Sequence, residues 1–264
     1  MTTVYIGSTL MWSGSLRDIF LMAEDSGLQG IELWAQQFIY RGFDENEFKE
    51  LMESTGIEAC MHSQSWDLNP ASMNEGIRSQ SVKEIIRSIE LAKRLGINEV
   101  TVHPGHRTVS CECVPYEDHL RRSFSEILEA AENAGVILSL EIMEKIPKEF
   151  VTDMQAMRRV CGNMFDKFVY TLDIAHCDSG KEALRILEED GEHISKIHIS
   201  NRRGNKFHTP LSEGDHDMKD LIPKLAGYGL PMVMEGFDES KDFSTVKDNI
   251  GFIRNILKNG GEEK

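Results

Sequence analysis

The chain has 264 residues, 40% of them hydrophobic, and is long enough to bury the core of one barrel or of two small domains. Its net charge of −15, from 29 basic and 44 acidic residues, repels phosphate backbones and disfavours a nucleic-acid partner. No run of about 18 apolar residues predicts a membrane span, and the N-terminus lacks a signal-peptide pattern. Five cysteines without a disulfide-framework spacing favour the reducing cytoplasm; the pair Cys111 and Cys113, in a predicted loop, is not assigned a metal or redox role.

Strands and helices are predicted to alternate along the entire chain. The predicted strands cover residues 4–10, 30–35, 57–63, 99–105, 137–143, 168–176, 194–201 and 230–237. Helical periodicity and terminal glycines predict helices at 15–27, 44–55, 81–96, 116–134, 151–161, 182–189, 217–226 and a last one ending near 258, with a loop over 202–215. This alternation, without a linker or low-complexity segment, predicts a single α/β domain with a parallel sheet over residues 1–264.

Six of the predicted strands end on His, Asp or Glu, which are residue types that can bind metal. In each strand this residue alternates with large apolar residues. In the fifth strand, Leu138 and Leu140 alternate with Ser139 and Glu141. Because successive side chains of a strand point to opposite faces, one face is apolar and the other carries the ligand type. This pattern predicts a (β/α)8 TIM barrel with helices outside and a site at the C-terminal strand ends. The alternative, an open doubly wound sheet, would begin with a glycine-rich phosphate turn, which the segment STLMWSGS after the first strand lacks.

The last four predicted strands indicate a metal site at the barrel mouth. Three carboxylates and one imidazole meeting there would repel one another without a cation, and together they suit a divalent metal such as Mn, Mg, Co or Zn. The alternative is four unrelated polar residues that each bond to loop backbone. The predicted metal ligands are Glu141, Asp173, His198 and Glu235.

Four histidines are predicted to bind a second metal or the substrate. His62 and His103 end the third and fourth strands. If they bind a second metal that Glu141 bridges to the first, their nitrogen ligands would favour zinc at that site. His176 lies on the turn after the sixth strand, and His208 lies in the loop after the seventh. For a lone histidine at a strand end, a structural role is the alternative.

Three residues near the predicted mouth are expected to bind substrate. Glu32 and Trp34 share the inner face of the second strand. Arg202 follows the seventh strand, where it could pair with a phosphate or carboxylate or belong to a solvated basic loop. Trp34 and Trp66 could stack on a sugar ring or simply fill the mouth.

Several segments, taken together, resemble the xylose-isomerase-like TIM-barrel superfamily over nearly the whole chain: GIELWA, HSQSWDLN, VHPG, LEIM, LDIAH, HISN, PLSEGD and MEGF. That superfamily includes sugar isomerases, ketose epimerases, sugar phosphate isomerase/epimerase-like proteins and the endonuclease IV group. In the isomerase and epimerase branch, the resemblance implies one metal held by the four ligands above, with Glu141 and Glu235 as the acid–base pair. In the endonuclease IV branch, it implies three zincs, the third held by His176, His208 and an aspartate where this chain has Lys206.

The sequence therefore favours a metal-dependent isomerase or epimerase of a small sugar, sugar phosphate or keto-acid. The metal would chelate a carbonyl and a hydroxyl, and Glu141 and Glu235 would exchange the acidified proton through an enediolate. A zinc phosphodiesterase acting on abasic DNA is the second hypothesis, and a barrel that binds ligand without turnover is the third. The expected partner is a small molecule, and a homo-oligomer stays an open alternative.

Overall fold

The structure, a computed structural model, describes residues 2–109 and 113–259, so Cys111 of the cysteine pair lies outside the described residues. Eight parallel strands form a closed barrel, which confirms the predicted architecture. The ring closes where the first strand pairs with both the second and the last. The barrel strands are β1 (Val4–Gly7), β2 (Gly30–Trp34), β3 (Glu58–His62), β4 (Glu99–Val102), β5 (Ile137–Glu141), β6 (Val169–Asp173), β7 (Ile194–Ile199) and β10 (Met232–Met234).

Nine α-helices in the described part of the chain accompany these strands. Their ends follow local sequence: Ser15 forms a capping box with Asp18 at the start of the first helix, and Gly96 ends the fourth in a left-handed conformation. None of the helices within 2–109 and 113–259 is long and apolar enough to cross a bilayer. The helices are α1 (Leu16–Asp25), α2 (Ala35–Arg41), α3 (Glu45–Thr55), α4 (Glu75–Leu95), α5 (Tyr116–Ala134), α6 (Met154–Cys161), α7 (Gly180–Asp190), α8 (Met218–Ala226) and α9 (Ser244–Asn259).

Strand alternation places apolar side chains against the helices and polar side chains inside the barrel. Leu138 joins the main apolar core, whereas the neighbouring Ser139 hydroxyl meets that of Thr171 at 2.7 Å. The register of β6 against β7 pairs Asp173 with His198. Ligand-type residues of neighbouring strands therefore lie side by side at the C-terminal end of the barrel.

Two helices differ from the prediction. The helix α2 occupies a segment expected to be loop, where it buries Phe38 and ends at Gly42 with φ 64°. The helix α4 begins at Glu75 rather than at 81, because the Asn74 side chain accepts hydrogen bonds from the N–H groups of its first turn. With seven residues, α2 is too short to show an apolar periodicity, and the first turns of α4 are too polar to show one.

The segment predicted as a loop over 202–215 contains a small antiparallel hairpin. Its strands are β8 (Asn201–Arg203) and β9 (Lys206–Thr209), and the turn between them contains Gly204 with φ 57°. The barrel strands also end earlier than predicted. Because β4 ends at Val102, His103 lies on the loop that follows it.

Candidate metal centre at the barrel mouth

Four side chains from the C-terminal ends of β5, β6, β7 and β10 converge on one point. The Nδ1 atom of His198 lies 2.8 Å from Glu235 Oε2 and 3.8 Å from Glu141 Oε2. It also lies 3.8 Å from Asp173 Oδ2. One ligand atom from each residue lies within 4.8 Å of the others in this central cluster of Glu141, Asp173, His198 and Glu235, all of which are buried.

The polar atoms that face this point lack hydrogen bonds of regular geometry to any described residue. They are both carboxylate oxygens of Glu141, Asp173 Oδ2, His198 Nδ1 and Glu235 Oε2. Buried charged groups without partners are costly, whereas one cation would satisfy all of them together. Carboxylates and imidazole are ligands that Mn, Mg, Co and Zn accept. The residues present thus fit a divalent metal.

The charged groups of the central cluster shift one another's pKa values. Burial disfavours the Glu141 carboxylate, but the imidazoles of His103 and His198 hold its pKa well below its usual range. Burial, reinforced by the Glu235 carboxylate, raises the pKa of Asp173 to about 6. Burial also opposes the imidazolium of His198, yet the surrounding carboxylates raise its pKa well above the ordinary value. Protons on these groups would therefore compete with a metal for the same concentrated negative charge.

His62 and His103 join the central cluster through Glu141, and the three residues could hold a second cation. The Nε2 atoms of the two histidines lie 3.4 and 3.1 Å from Glu141 Oε2 and 3.0 Å from each other. The Nδ1 of His62 donates to the carbonyl oxygen of Ser63 at 2.8 Å, so in the neutral ring Nε2 carries the lone pair. Trp34 stacks on the His62 ring with centroids 3.8 Å apart, which fixes the orientation of that ring.

His176 and His208 form a third group of ligand atoms with Asp173. The Nδ1 of His176 donates to the carbonyl oxygen of Ile142 at 2.9 Å, which leaves Nε2 for a ligand. Burial lowers the tendency of His176 to protonate, but Asp173 and its neighbouring carboxylates outweigh this and raise the pKa to about 9. Lys206 lines the adjoining cavity at the position where the resemblance to endonuclease IV requires an aspartate. The only carboxylate of this group is therefore one that the central cluster also contains.

A cavity of about 1060 Å³ opens above the central cluster. Glu141 and Glu235 line it, whereas Asp173 and His198 are fully buried and do not belong to its described lining. Pockets for small organic ligands typically measure about 300–1,000 Å³, so the site has room for a sugar-sized molecule. The two glutamates are the members of the central cluster that a ligand in this cavity can reach.

Aromatic side chains form one side of the cavity mouth. Trp34 lines the wall, while Trp66 and Phe237 lie at the rim, 42% and 52% exposed, with ring centroids 6.0 Å apart. The ring of Trp12 lies 5.3 Å from Trp66 and 5.4 Å from Phe237. Phe237 was not predicted as a site residue, and its only indication in the sequence is its place two residues after Glu235.

Two residues predicted to bind substrate lie elsewhere. Glu32 is fully buried beneath the central cluster, with Oε2 3.0 Å from His198 Nε2, and is outside the described cavity lining. The guanidinium of Arg202 donates to the carbonyl oxygen of Cys177 at 3.1 Å and lies over the Phe207 ring at 4.9 Å. These contacts hold Arg202 against the hairpin, outside the described cavity lining, and its role in substrate binding stays a prediction.

Comparisons with known proteins agree with this architecture. The family described as xylose isomerase-like TIM barrel matches residues 20–256. An uncharacterised protein of Methanocaldococcus jannaschii is 27% identical over 236 residues, covering 87% of this chain and 86% of that protein. A probable endonuclease 4 of a Thermotoga species is 28% identical over 140 residues, covering 51% of this chain and 47% of that protein. The crystal structure of a D-tagatose 3-epimerase-like protein matches with a TM-score of 0.79 and 22% identity, covering 100% of this chain and 99% of the other.

The closed parallel barrel, with its charged and ligand-rich mouth, defines the protein as a (β/α)8 barrel with its candidate site at the C-terminal strand ends. The chain belongs to the xylose isomerase-like TIM barrel family, whose match covers most of its length. The resemblance found in the sequence is thereby confirmed.

Proposed function

We propose that the protein is a metal-dependent isomerase or epimerase acting on a small sugar, sugar phosphate or keto-acid. The arrangement of the central cluster carries this proposal. Glu141 and Glu235 share one metal-binding point and both line the cavity, whereas Asp173 and His198 lie behind them. This division supports two roles within one cluster: all four residues hold the cation, and the two glutamates also meet the substrate.

The chain's own groups would then move a proton next to a substrate carbonyl. When bound, a divalent cation would supply Lewis-acid polarisation of that carbonyl and of a neighbouring hydroxyl. One glutamate carboxylate removes the proton from the carbon between them, and the other glutamate returns a proton. Return to the opposite face inverts the carbon, whereas return to the former carbonyl carbon moves the carbonyl along the chain. The fold similarity to a D-tagatose 3-epimerase-like protein is compatible with this chemistry.

The cavity walls would orient the substrate for this transfer. The rim rings of Trp66 and Phe237 offer apolar faces on which the C–H side of a sugar ring can pack. On the cavity lining, His176 donates from Nδ1 to the Ile142 carbonyl oxygen, so Nε2 of the neutral ring is an acceptor. A substrate hydroxyl beside Nε2 would donate a hydrogen bond to it.

Hydrogen exchange at the carbon next to the carbonyl tests the proposal without knowledge of the natural product. The protein, loaded with manganese, is incubated in D₂O with a panel of ketopentoses, ketohexoses and their phosphates, and deuterium incorporation is followed by NMR. We expect exchange that requires the metal and that falls by about 10²–10⁴-fold in Glu235→Gln, the usual contribution of a positioned acid or base.

The matched control is Glu58→Gln, which changes a carboxylate at the opposite end of the same barrel. It should exchange the substrate proton at the wild-type rate. Metal-dependent exchange that survives unchanged in Glu235→Gln would contradict the assigned acid–base role. Absence of exchange with every member of the panel would argue against isomerase chemistry on these substrates.

A zinc phosphodiesterase is the second candidate, and the two additional histidine groups favour it. His62 and His103 with Glu141, and His176 and His208 with Asp173, could hold further cations. Lys206 and the net charge of −15 weigh against a DNA substrate. Cleavage of an abasic-site oligonucleotide by protein that contains two or more zinc ions per chain would establish this candidate over the first.

A further inference from the structure

Glu32 is a buried carboxylate that the proposed chemistry does not use. It lies on β2 inside the barrel, with no exposed surface, and is outside the described lining of the cavity. A substrate above the central cluster cannot touch it. A fully buried carboxylate normally requires a partner to offset its desolvation, so its contacts indicate what it does.

The two oxygens of Glu32 have different surroundings. The Oε1 atom accepts a hydrogen bond from the Thr101 hydroxyl at 2.9 Å and lies 3.7 Å from the Cys60 thiol. The Oε2 atom lies 3.0 Å from His198 Nε2 and has no hydrogen bond of regular geometry to another described residue. One oxygen is therefore anchored to the barrel wall, and the other faces the ring of a central-cluster residue.

The opposite edge of the same ring faces the central cluster. His198 Nδ1 lies 2.8 Å from Glu235 Oε2, and neither ring nitrogen has a regular hydrogen bond to another described group. A neutral imidazole carries one proton, and the nitrogen without it is the one that can bind a cation. The identity of the protonated nitrogen thus decides whether His198 can serve the metal site.

A row of alternating charges holds Glu32 in place from below. Lys196 Nζ lies 3.9 Å from Glu32 Oε1 and forms a short ion pair with Glu99. Lys196 and Glu32 are both buried. Lys196 thus lies between the carboxylates of Glu99 and Glu32, and the Glu32 carboxylate is held by contacts on the side away from His198.

We infer that Glu32 is a positioning residue, whose charge beside His198 Nε2 keeps the ring proton there and leaves Nδ1 free to bind the divalent cation. The inference rests on the proposed function in so far as His198 is taken as a metal ligand. Histidine ligands commonly present their second nitrogen to a carboxylate, which fixes the tautomer and increases the basicity of the ligating nitrogen. Glu32 would act on the metal and never on the substrate.

Metal affinity of Glu32→Gln is the first test. Manganese binding to the metal-depleted protein is measured by titration calorimetry for wild type, Glu32→Gln and the control Glu58→Gln. We expect one site per chain in all three, about 10–100-fold weaker in Glu32→Gln and unchanged in Glu58→Gln. Equal affinity in wild type and Glu32→Gln would overturn the inference. Absence of binding in wild type would instead overturn the metal site of the proposed function.

The ring proton of His198 is the second test, since a merely structural role would not move it. In zinc-loaded protein with ¹⁵N-labelled histidine, the Nε2 proton is assigned by its loss in His198→Gln. We expect a strongly downfield, slowly exchanging proton on Nε2 in wild type and an upfield shift in Glu32→Gln. A proton found on Nδ1, or an unchanged resonance in Glu32→Gln, would contradict the assignment.

The variant Thr101→Val keeps the test decisive if Glu32→Gln does not fold. It removes the hydroxyl that anchors Glu32 Oε1 but leaves the carboxylate and the volume of the side chain in place. Loss of one hydrogen bond to a charged group should weaken manganese binding by about fivefold or more. Unchanged affinity and an unchanged His198 resonance in this variant would also contradict the inference.

Discussion

The mouth and the floor of the barrel interior both contain charged side chains, but they neutralise them differently. We define the floor as Tyr5, Glu58, Glu99, Ser195 and Lys196. There the Tyr5 hydroxyl donates to Glu58 at 2.5 Å, and Lys196 and Ser195 both bond to Glu99. In the central cluster at the mouth, carboxylate oxygens gather around one point without regular hydrogen bonds to described residues.

This difference indicates that the charged groups of the floor stabilise the fold, whereas those of the mouth are available to bind a ligand. Burial disfavours the charged form of Lys196, but Glu99 and its other anionic neighbours raise its pKa above the ordinary value. At the mouth, burial and the Glu235 carboxylate raise the pKa of Asp173 to about 6, so its charge costs stability at neutral pH. Neutralising Lys196 at the floor and Asp173 at the mouth should therefore have opposite effects on stability.

The largest expected effect on stability is at the floor, in Lys196→Met. The change leaves Glu99 and the fully buried Glu32 without their cationic partner, so the free energy of unfolding should fall by about 3–5 kcal/mol. Urea unfolding followed by circular dichroism measures it. The control Lys224→Met removes an exposed pair with Asp220 on α8 and should cost less than about 1 kcal/mol. A similar loss of unfolding free energy in both variants would show that the ion pairs of the floor stabilise the fold no more than a surface pair does.

A divalent cation should stabilise the mouth. Manganese at about one hundred times its dissociation constant should raise the free energy of unfolding by about 2.7 kcal/mol, since only the folded chain assembles the ligands. Thermal unfolding with and without chelator measures the change. The control Glu58→Gln should be stabilised by manganese as much as the wild type is. An unfolding temperature that is the same with manganese and with chelator would show that the mouth does not need a cation.

Asp173→Asn should stabilise the metal-free protein while preventing tight metal binding. The folded-state pKa of about 6 lies above the ordinary 3.8, so the stability of the wild type falls as pH rises through this interval. Asparagine does not titrate and still accepts the hydrogen bond from the His176 backbone. In chelator, the variant should gain about 1–2 kcal/mol over wild type above pH 6, with a smaller gain near pH 4. A loss of stability at pH 8 would contradict the proposed charge imbalance.

The smallest expected effect on stability is that of Ser139→Ala, which removes one hydroxyl group from the barrel interior. Ser139 bonds to Thr171 at 2.7 Å and to Ser195 at 3.0 Å. Ser195 keeps its bond to Glu99, so the cost should be about 1 kcal/mol, with manganese affinity unchanged. Weaker metal binding in this variant would show that the two regions are more tightly coupled than their contacts indicate.

The features of this molecule that depend on the alternation of apolar and polar residues along the strands could be predicted from the sequence. One apolar face and one ligand-bearing face on successive strands predicted the closed barrel, and residues such as Glu141 and His198 do converge at its mouth. The helix α2 and the hairpin of β8 and β9 escaped prediction, because each buries few apolar residues and depends on contacts with neighbouring elements.

Depth inside the barrel could not be predicted. Alternation places Glu32 and Trp34 on the same inner face, but strand register pairs Glu32 with Cys60 and Trp34 with His62, one level nearer the mouth. That single level separates a buried partner of His198 from a residue of the cavity wall. The position of Arg202 could not be predicted for a related reason, since the path of the hairpin beyond β7 has no counterpart in strand periodicity.

Anomalous diffraction from crystals of the manganese-loaded protein tests the central claim most directly. Data collected on both sides of the manganese edge would locate every bound ion in the barrel. We predict one dominant peak surrounded by Glu141, Asp173, His198 and Glu235, with the Nδ1 edge of His198 toward it. A loaded crystal with no peak at the central cluster, or with its only peak between His62 and His103, would contradict the account.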